Sequence, residues 1–251
     1  MDDYFWLRET QPIPDGIGFG LFSATHVAAL GVVLLGVVVL PTLGYVRLGD
    51  VGRRRMRLTI GCLLLGMDIV VQTTYVITGD YTPQMIPLEL CSLGVYVVFI
   101  DGLKPNLLTR EIMYSLSIWG ALAALVFPDW ANRPLWNIFS LQQFFGHGLL
   151  VLYPVMLMVA REFRPDWRRL GRVLLVLAPF TLLCYVLNKV LGTNLMFLAA
   201  GAPGSPLEPI QAFAGALYIP LLARLLLLVW VVEYTPWVLA SRFSRNPVAV
   251  G

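Results

Sequence analysis

An all-α, polytopic bundle of seven membrane-spanning helices is the fold this sequence predicts, and three observations predict it. Hydrophobic residues make up 58% of the chain and charged residues only 13%, whereas about a quarter of an average soluble domain is charged. The apolar residues gather into seven spans, each near the roughly 20 residues that a helix needs to cross a bilayer. Basic residues collect in alternate connections, the distribution that orients a chain in a membrane.

Taken in order, the spans are Phe19–Val46, Leu58–Ile77, Gln84–Ile100, Ile112–Phe127, Ile138–Ala160, Gly171–Leu191 and Ala214–Val232. The first follows Met1–Gly18, which is acidic and has no apolar h-region, so it reads as a permanent helix rather than a cleaved signal. The second follows the basic run Arg53–Arg57. The third and fourth are short and should stand nearly upright or stop inside the interface. Trp130 and Trp136 precede the fifth, Trp167 precedes the sixth, and Trp237 follows the seventh. These are the interfacial positions that aromatic rings favour. One integral membrane domain, 1–251, accounts for the whole length, with no room for a second folded unit.

Orientation follows from charge. One side carries Arg47, Arg53–Arg55 and Arg57, then Lys104 and Arg110, then Arg161, Arg164, Arg168, Arg169 and Arg172, and finally Arg242 and Arg245. The other side has only Arg8, Arg133 and Lys189, with Arg224 inside the seventh span. The positive-inside rule therefore predicts the N-terminus outside and the C-terminus in the cytoplasm. A formal charge of +3 is no nucleic-acid signature, because the basic residues flank the spans. Cys62, Cys91 and Cys184 all fall within spans, which argues against an extracellular disulfide framework.

Once orientation is assumed, the polar residues inside the spans share a depth. His26, Cys91, His147 and Arg224 fall seven to ten residues into inward-running spans, roughly 10–15 Å below the outer surface at 1.5 Å per residue. Asp68, Gln72, Cys184 and Asn188 fall late in outward-running ones. Asp68/Gln72, Gln143/His147 and Cys184/Asn188 are i,i+4 pairs, each on one helix face. Polar groups at one depth in a membrane mark a pathway or a site. They also fit a plainer role, in which Asp68, Glu89 and Arg224 form an ion-paired cluster and the histidines are interhelical bonds. Cys91 follows Pro87 and Glu89 at the start of a short helix, where the dipole favours a thiolate.

The ordered motifs Leu21–His26, Pro87–Ser92, Ala123–Asp129, Gln143–His147, Asn188–Leu198 and Pro203 resemble those of the YwaF-type integral membrane proteins of bacteria. The chain departs from that pattern at Glu89, where a histidine is expected, and at Asn194–Leu195, where an asparagine–tyrosine pair is expected. The resemblance implies a multi-pass protein of the bacterial inner membrane. Through a eukaryotic branch that looks related, it also implies acyl transfer to phospholipids by an intramembrane cysteine.

That chemistry needs a nucleophile, a base and oxyanion donors. Cys91, His147, His26 and Glu89 are the catalytic candidates, with Asp68, Gln72, Gln143, Asn188, Asn194 and Arg224 as substrate-binding candidates. The expected function is an intramembrane lipid acyltransferase or hydrolase in the outer leaflet half, with Gly192–Pro209 as a lid or an ordinary interfacial loop. The competing reading is a small-solute or ion/proton transporter using the same polar layer. Membrane lipids are the expected partners, and no cofactor, metal or nucleic acid is expected. The seventh span lacks a lysine for a retinal Schiff base.

Overall fold

The computed structural model describes residues 4–6, 11 and 13–243, which form an all-α bundle. Its seven long helices are α1 (Ala24–Arg47), α2 (Asp50–Thr78), α3 (Leu90–Leu103), α4 (107–126), α5 (Ile138–Val159), α6 (Leu170–Leu191) and α7 (Tyr218–Phe243). Among the described residues six helical stretches are long and apolar enough to cross a membrane, the third counted from Pro83 and the last from Leu207; α4 is the long helix outside that set. The chain is a multi-pass membrane protein. Arg8 and Arg245, both used in the charge balance, lie outside the described residues.

Each helix begins and ends for local reasons. Ser23 caps α1 by accepting His26 N–H at 3.1 Å, and Asn106 and Asn137 cap α4 and α5 in the same way. Gly79 and Gly192 end α2 and α6 in the left-handed conformation that a glycine adopts without a Cβ penalty. π-helical turns widen α1 over Val33–Val39 and α4 over Met113–Ser117. The fourth helix starts at Leu107 rather than Ile112, because Asn106 caps it and Arg110 and Glu111 find partners inside the protein. The seventh starts at Tyr218 rather than Ala214. A short helix, Leu207–Ala214, precedes it and breaks at Gly215, whose φ is 52°.

Helix α5 lies at the centre. Its residues 146–154 are buried without a break, and α1 to α4 all pack on it. Outward faces carry Val32, Leu35, Ile69, Val70, Ile77, Leu175, Val190 and Leu228 exposed, as expected where hydrocarbon is the solvent. Helix α2 packs extensively on α3. A Cβ at Gly61 would sit 2.9 Å from Phe99 Cα, and one at Gly102 would sit 3.1 Å from the Arg57 carbonyl oxygen. Small residues at such seams let membrane helices approach backbone to backbone.

The connections that carry the arginines meet at one end of the bundle, and many of those arginines turn inward. Glu162 accepts the Tyr45 hydroxyl at 2.9 Å and pairs with Arg57 at 2.7 Å and Arg53 at 3.3 Å. Asp101, fully buried, accepts Thr109 Oγ1 at 2.6 Å, Asn106 N–H at 3.1 Å and the Tyr153 hydroxyl at 3.1 Å, and meets Arg110 at 3.4 Å. Glu111, also fully buried, accepts the Tyr234 hydroxyl at 2.6 Å and pairs with Arg169 at 2.9 Å. A buried carboxylate is tolerable when it is paired and hydrogen-bonded in this way.

A candidate intramembrane site at the start of helix α3

The candidate residues lie toward the opposite end of the bundle, and the structure separates them into three groups. The first belongs to the packing of α1. His26 is fully buried; its Nδ1 accepts Phe22 N–H at 3.1 Å, which leaves Nε2–H to donate to the Leu125 carbonyl at 2.9 Å. Phe19 and Phe144 flank the ring. With both nitrogens engaged, this neutral imidazole ties the start of α1 to the end of α4.

The second group folds the segment between α6 and the short helix. Asn188 Oδ1 accepts Thr193 Oγ1 at 2.8 Å and Leu195 N–H at 2.7 Å, while its Nδ2 donates to the Leu195 carbonyl at 3.0 Å. Asn194 Oδ1 accepts Ala199 and Ala200 N–H, and Asn194 N–H donates to Gln84 at 2.7 Å. Met196 and Phe197 take left-handed φ values of 57° and 52°. Residues 194–200 therefore form a hydrogen-bonded cap tied to α6 through Asn188 and to Gln84.

The third group surrounds Cys91. This cysteine is the second residue of α3, half-buried, with Sγ against Gly120 of α4. Glu89 occupies the cap position but does not cap its own helix; its carboxylate reaches across to accept Met196 N–H at 2.7 Å. The first-turn N–H groups of α3 are therefore left without a side-chain acceptor. His147 is buried on α5, stacked on Trp130 at 5.5 Å, and its Nδ1–H donates to the Gln143 carbonyl at 2.8 Å. Nε2 then carries the lone pair.

Register relates the last two residues. A Cβ at Gly94 would meet Ser117 Oγ at 2.8 Å and Leu150 Cδ2 at 3.2 Å, so Gly94 of α3 is level with Leu150 of α5. Cys91 and His147 each lie three residues earlier on helices that run the same way, which puts them at a common level. No hydrogen bond joins them. Ser117 Oγ, one turn away, is buried without a partner.

Other expected members fall elsewhere. Asp68 accepts the Tyr96 hydroxyl at 3.4 Å, and Gln72 Oε1 is buried without a partner. Arg224 is exposed, on the side of α7 opposite Leu222, and makes no ion pair among the described residues. Asp68, Glu89 and Arg224 thus form no ion-paired cluster. Cys184 is buried and donates to the Leu88 carbonyl at 3.5 Å, and Cys62 is exposed. Among the described residues, no three His, Cys, Asp or Glu side chains converge as metal ligands.

Sequence reasoning missed the polar network at the basic end, because its arginines were taken only as orientation signals. The usable signal was the set of acids, Asp101, Glu111 and Glu162, placed at helix ends beside those arginines.

A family profile described as the TMEM164 family matches residues 21–234, nearly the whole bundle. The chain belongs to the TMEM164 family. No curated protein and no solved structure matches it. The resemblance to YwaF-type proteins is therefore corrected. It rested on short motifs and departed from the expected pattern at two positions. At those positions Glu89 accepts Met196 N–H, and Leu195 is fully buried in the cap. In this TMEM164-family protein the motif Pro87–Ser92 opens α3, and Gln143–His147 is one face of the central helix.

Proposed function

We propose that this TMEM164-family protein is an intramembrane acyl-transfer enzyme acting on lipid esters, with Cys91 as nucleophile. The observation that carries the reading is the position of Cys91 in the uncapped first turn of α3, at the level of His147. Unpaired N–H groups at a helix start stabilise negative charge, which suits a developing oxyanion.

In this scheme His147 Nε2 accepts the thiol proton as Cys91 Sγ attacks the ester carbonyl. The tetrahedral oxyanion faces the first-turn N–H groups. Its collapse breaks the ester C–O bond, and the departing alkoxide takes the proton back from His147. A second alcohol, or water, then attacks the thioester, losing its proton to His147, and the Cys91 sulfur leaves and is reprotonated. Glu89 holds the cap across this site. We assign the site to the outer leaflet half, with the arginine connections in the cytoplasm.

The test is reconstitution in vesicles with a labelled phospholipid donor and an acceptor lysolipid. Transfer of label, a hydroxylamine-sensitive adduct on Cys91, and loss of both in Cys91→Ser would support the reading. Full transfer by Cys91→Ser would overturn it. The second reading, passage of a small solute or proton, is favoured by the unpartnered Gln72 Oε1 on the Asp68 face of α2. It predicts flux across sealed vesicles that survives Cys91→Ser and fails in Gln72→Leu.

A further inference from the structure

We propose that the cavity between α6, the 194–200 cap and the start of α7 binds the phosphate of a membrane-lipid headgroup, with Lys189 as its cation. This site is separate from Cys91 and needs no acyl chemistry. The cavity holds about 280 Å³, and Lys189, Tyr185, Asn188, Gln211 and Ala216 are among its walls.

Its walls offer donors and few free acceptors. Lys189 Nζ sits 5.6 Å from the Tyr185 ring centre, and no carboxylate among the described residues pairs with it. An ammonium held in place by a ring face keeps its three N–H donors for a ligand. Asn188 Oδ1 is occupied by Thr193 and Leu195, and Gln211 Oε1 by Gly201 N–H at 3.1 Å. The Ala199 carbonyl accepts Gln211 Nε2 at 3.4 Å. Each amide nitrogen makes one bond to a cap carbonyl and keeps its other hydrogen. A cation and two amide donors, with the neighbouring side-chain acceptors consumed, complement a group rich in acceptor oxygens and negative charge, which describes phosphate.

The surroundings select the lipid form of that phosphate. Phe213 is 88% exposed and Leu217 is 68% exposed, both beside the cavity on the short helix and its continuation into α7. Apolar side chains projecting from a short helix at the end of a membrane bundle sit at the headgroup–acyl boundary. A lipid whose phosphate enters the cavity would lay its chains against these residues.

The test measures binding of dihexanoyl phosphatidic acid, dihexanoylglycerol and inorganic phosphate to the purified full chain, wild type and variants. The proposal expects the phosphate-bearing lipid to bind, dihexanoylglycerol to bind at least tenfold more weakly, and Lys189→Gln to lose about tenfold in affinity. Lys189→Arg should retain binding, and Ala216→Trp should abolish it by filling the cavity. Lys189 is exposed, so Lys189→Gln should melt with the wild type and its loss should report the site. Inorganic phosphate binding as tightly as the lipid, with the same Lys189 dependence, would overturn the headgroup assignment and leave a free-anion site. Equal binding of the phosphate lipid by wild type, Lys189→Gln and Ala216→Trp would overturn the proposal altogether.

Discussion

The carboxylate of Glu89 accepts the backbone N–H of Met196 at 2.7 Å, so the residue that opens α3 also holds a cap whose backbone is left-handed at two successive non-glycine positions. Such conformations cost on the order of 1–3 kcal/mol each and persist only where neighbours hold them. Glu89 thus shares the hold on this cap with Asn188 of α6 and Tyr218 of α7, and it is the group that bonds the strained position itself.

Glu89→Ala should release that cap. A buried N–H left unpaired costs roughly 1–3 kcal/mol. The expected result is a lower melting temperature together with faster proteolysis within residues 194–200. Glu89→Gln, which keeps an acceptor oxygen, should restore most of the protection. Equal protease resistance of the alanine variant and the wild type would contradict the role given to Glu89.

Glu162→Ala should weaken the basic end more than an ordinary surface change. It removes the partner of Arg53, Arg57 and Tyr45 at once. Breaking a buried pair costs about 3–5 kcal/mol. Solvent reaches 20% of the Glu162 side chain, so a loss on the order of 2–3 kcal/mol is expected. Thermal unfolding in detergent checks this, and Glu162→Asp should fall between the two.

Arg224→Leu should leave stability and fold intact or raise stability slightly. The guanidinium has no protein partner among the described residues, and its helix face looks away from the candidate site. A polar-layer role would instead predict a clear loss of folded protein. Size-exclusion profiles and melting curves of the two forms separate these outcomes.

His26→Ala should loosen the join between α1 and α4 by about 1 kcal/mol, the scale of an interhelical hydrogen bond in a membrane. His147→Ala should also cost stability, through its lost Trp130 stack and the space it leaves, but should in addition remove acyl transfer. Measuring melting and transfer for both variants distinguishes the two histidines, which depth along the sequence treats alike.

That last contrast shows where the sequence is legible. Hydropathy located the helices of the bundle, six of them apolar enough to span a membrane, because hydrocarbon rewards apolar runs whatever their partners. It misplaced the start of α4 by treating Arg110 and Glu111 as loop residues, although their charges are paired inside the protein. Counting residues from a helix end gives a level but not a direction. His147 and Arg224 have similar counts, yet one is buried on the central helix and the other faces outward. The partners of Asn188 and Glu89 are backbone groups of a folded loop, which no side-chain pattern announces.

Gly61→Val and Gly102→Val should each force α2 and α3 apart, because the added atoms meet backbone rather than flexible side chains. Overpacking of this kind costs about 1–3 kcal/mol or more, readable in the melting temperature. The same close seam bears on biogenesis. Two adjacent helices whose backbones touch at Gly61 and Gly102 can pack on each other before the rest of the bundle exists, so α2 and α3 are suited to leave the translocation channel as one hairpin. Variants at Gly61 would then accumulate below the wild-type level, with the lowered melting temperature carried by the chains that complete the bundle.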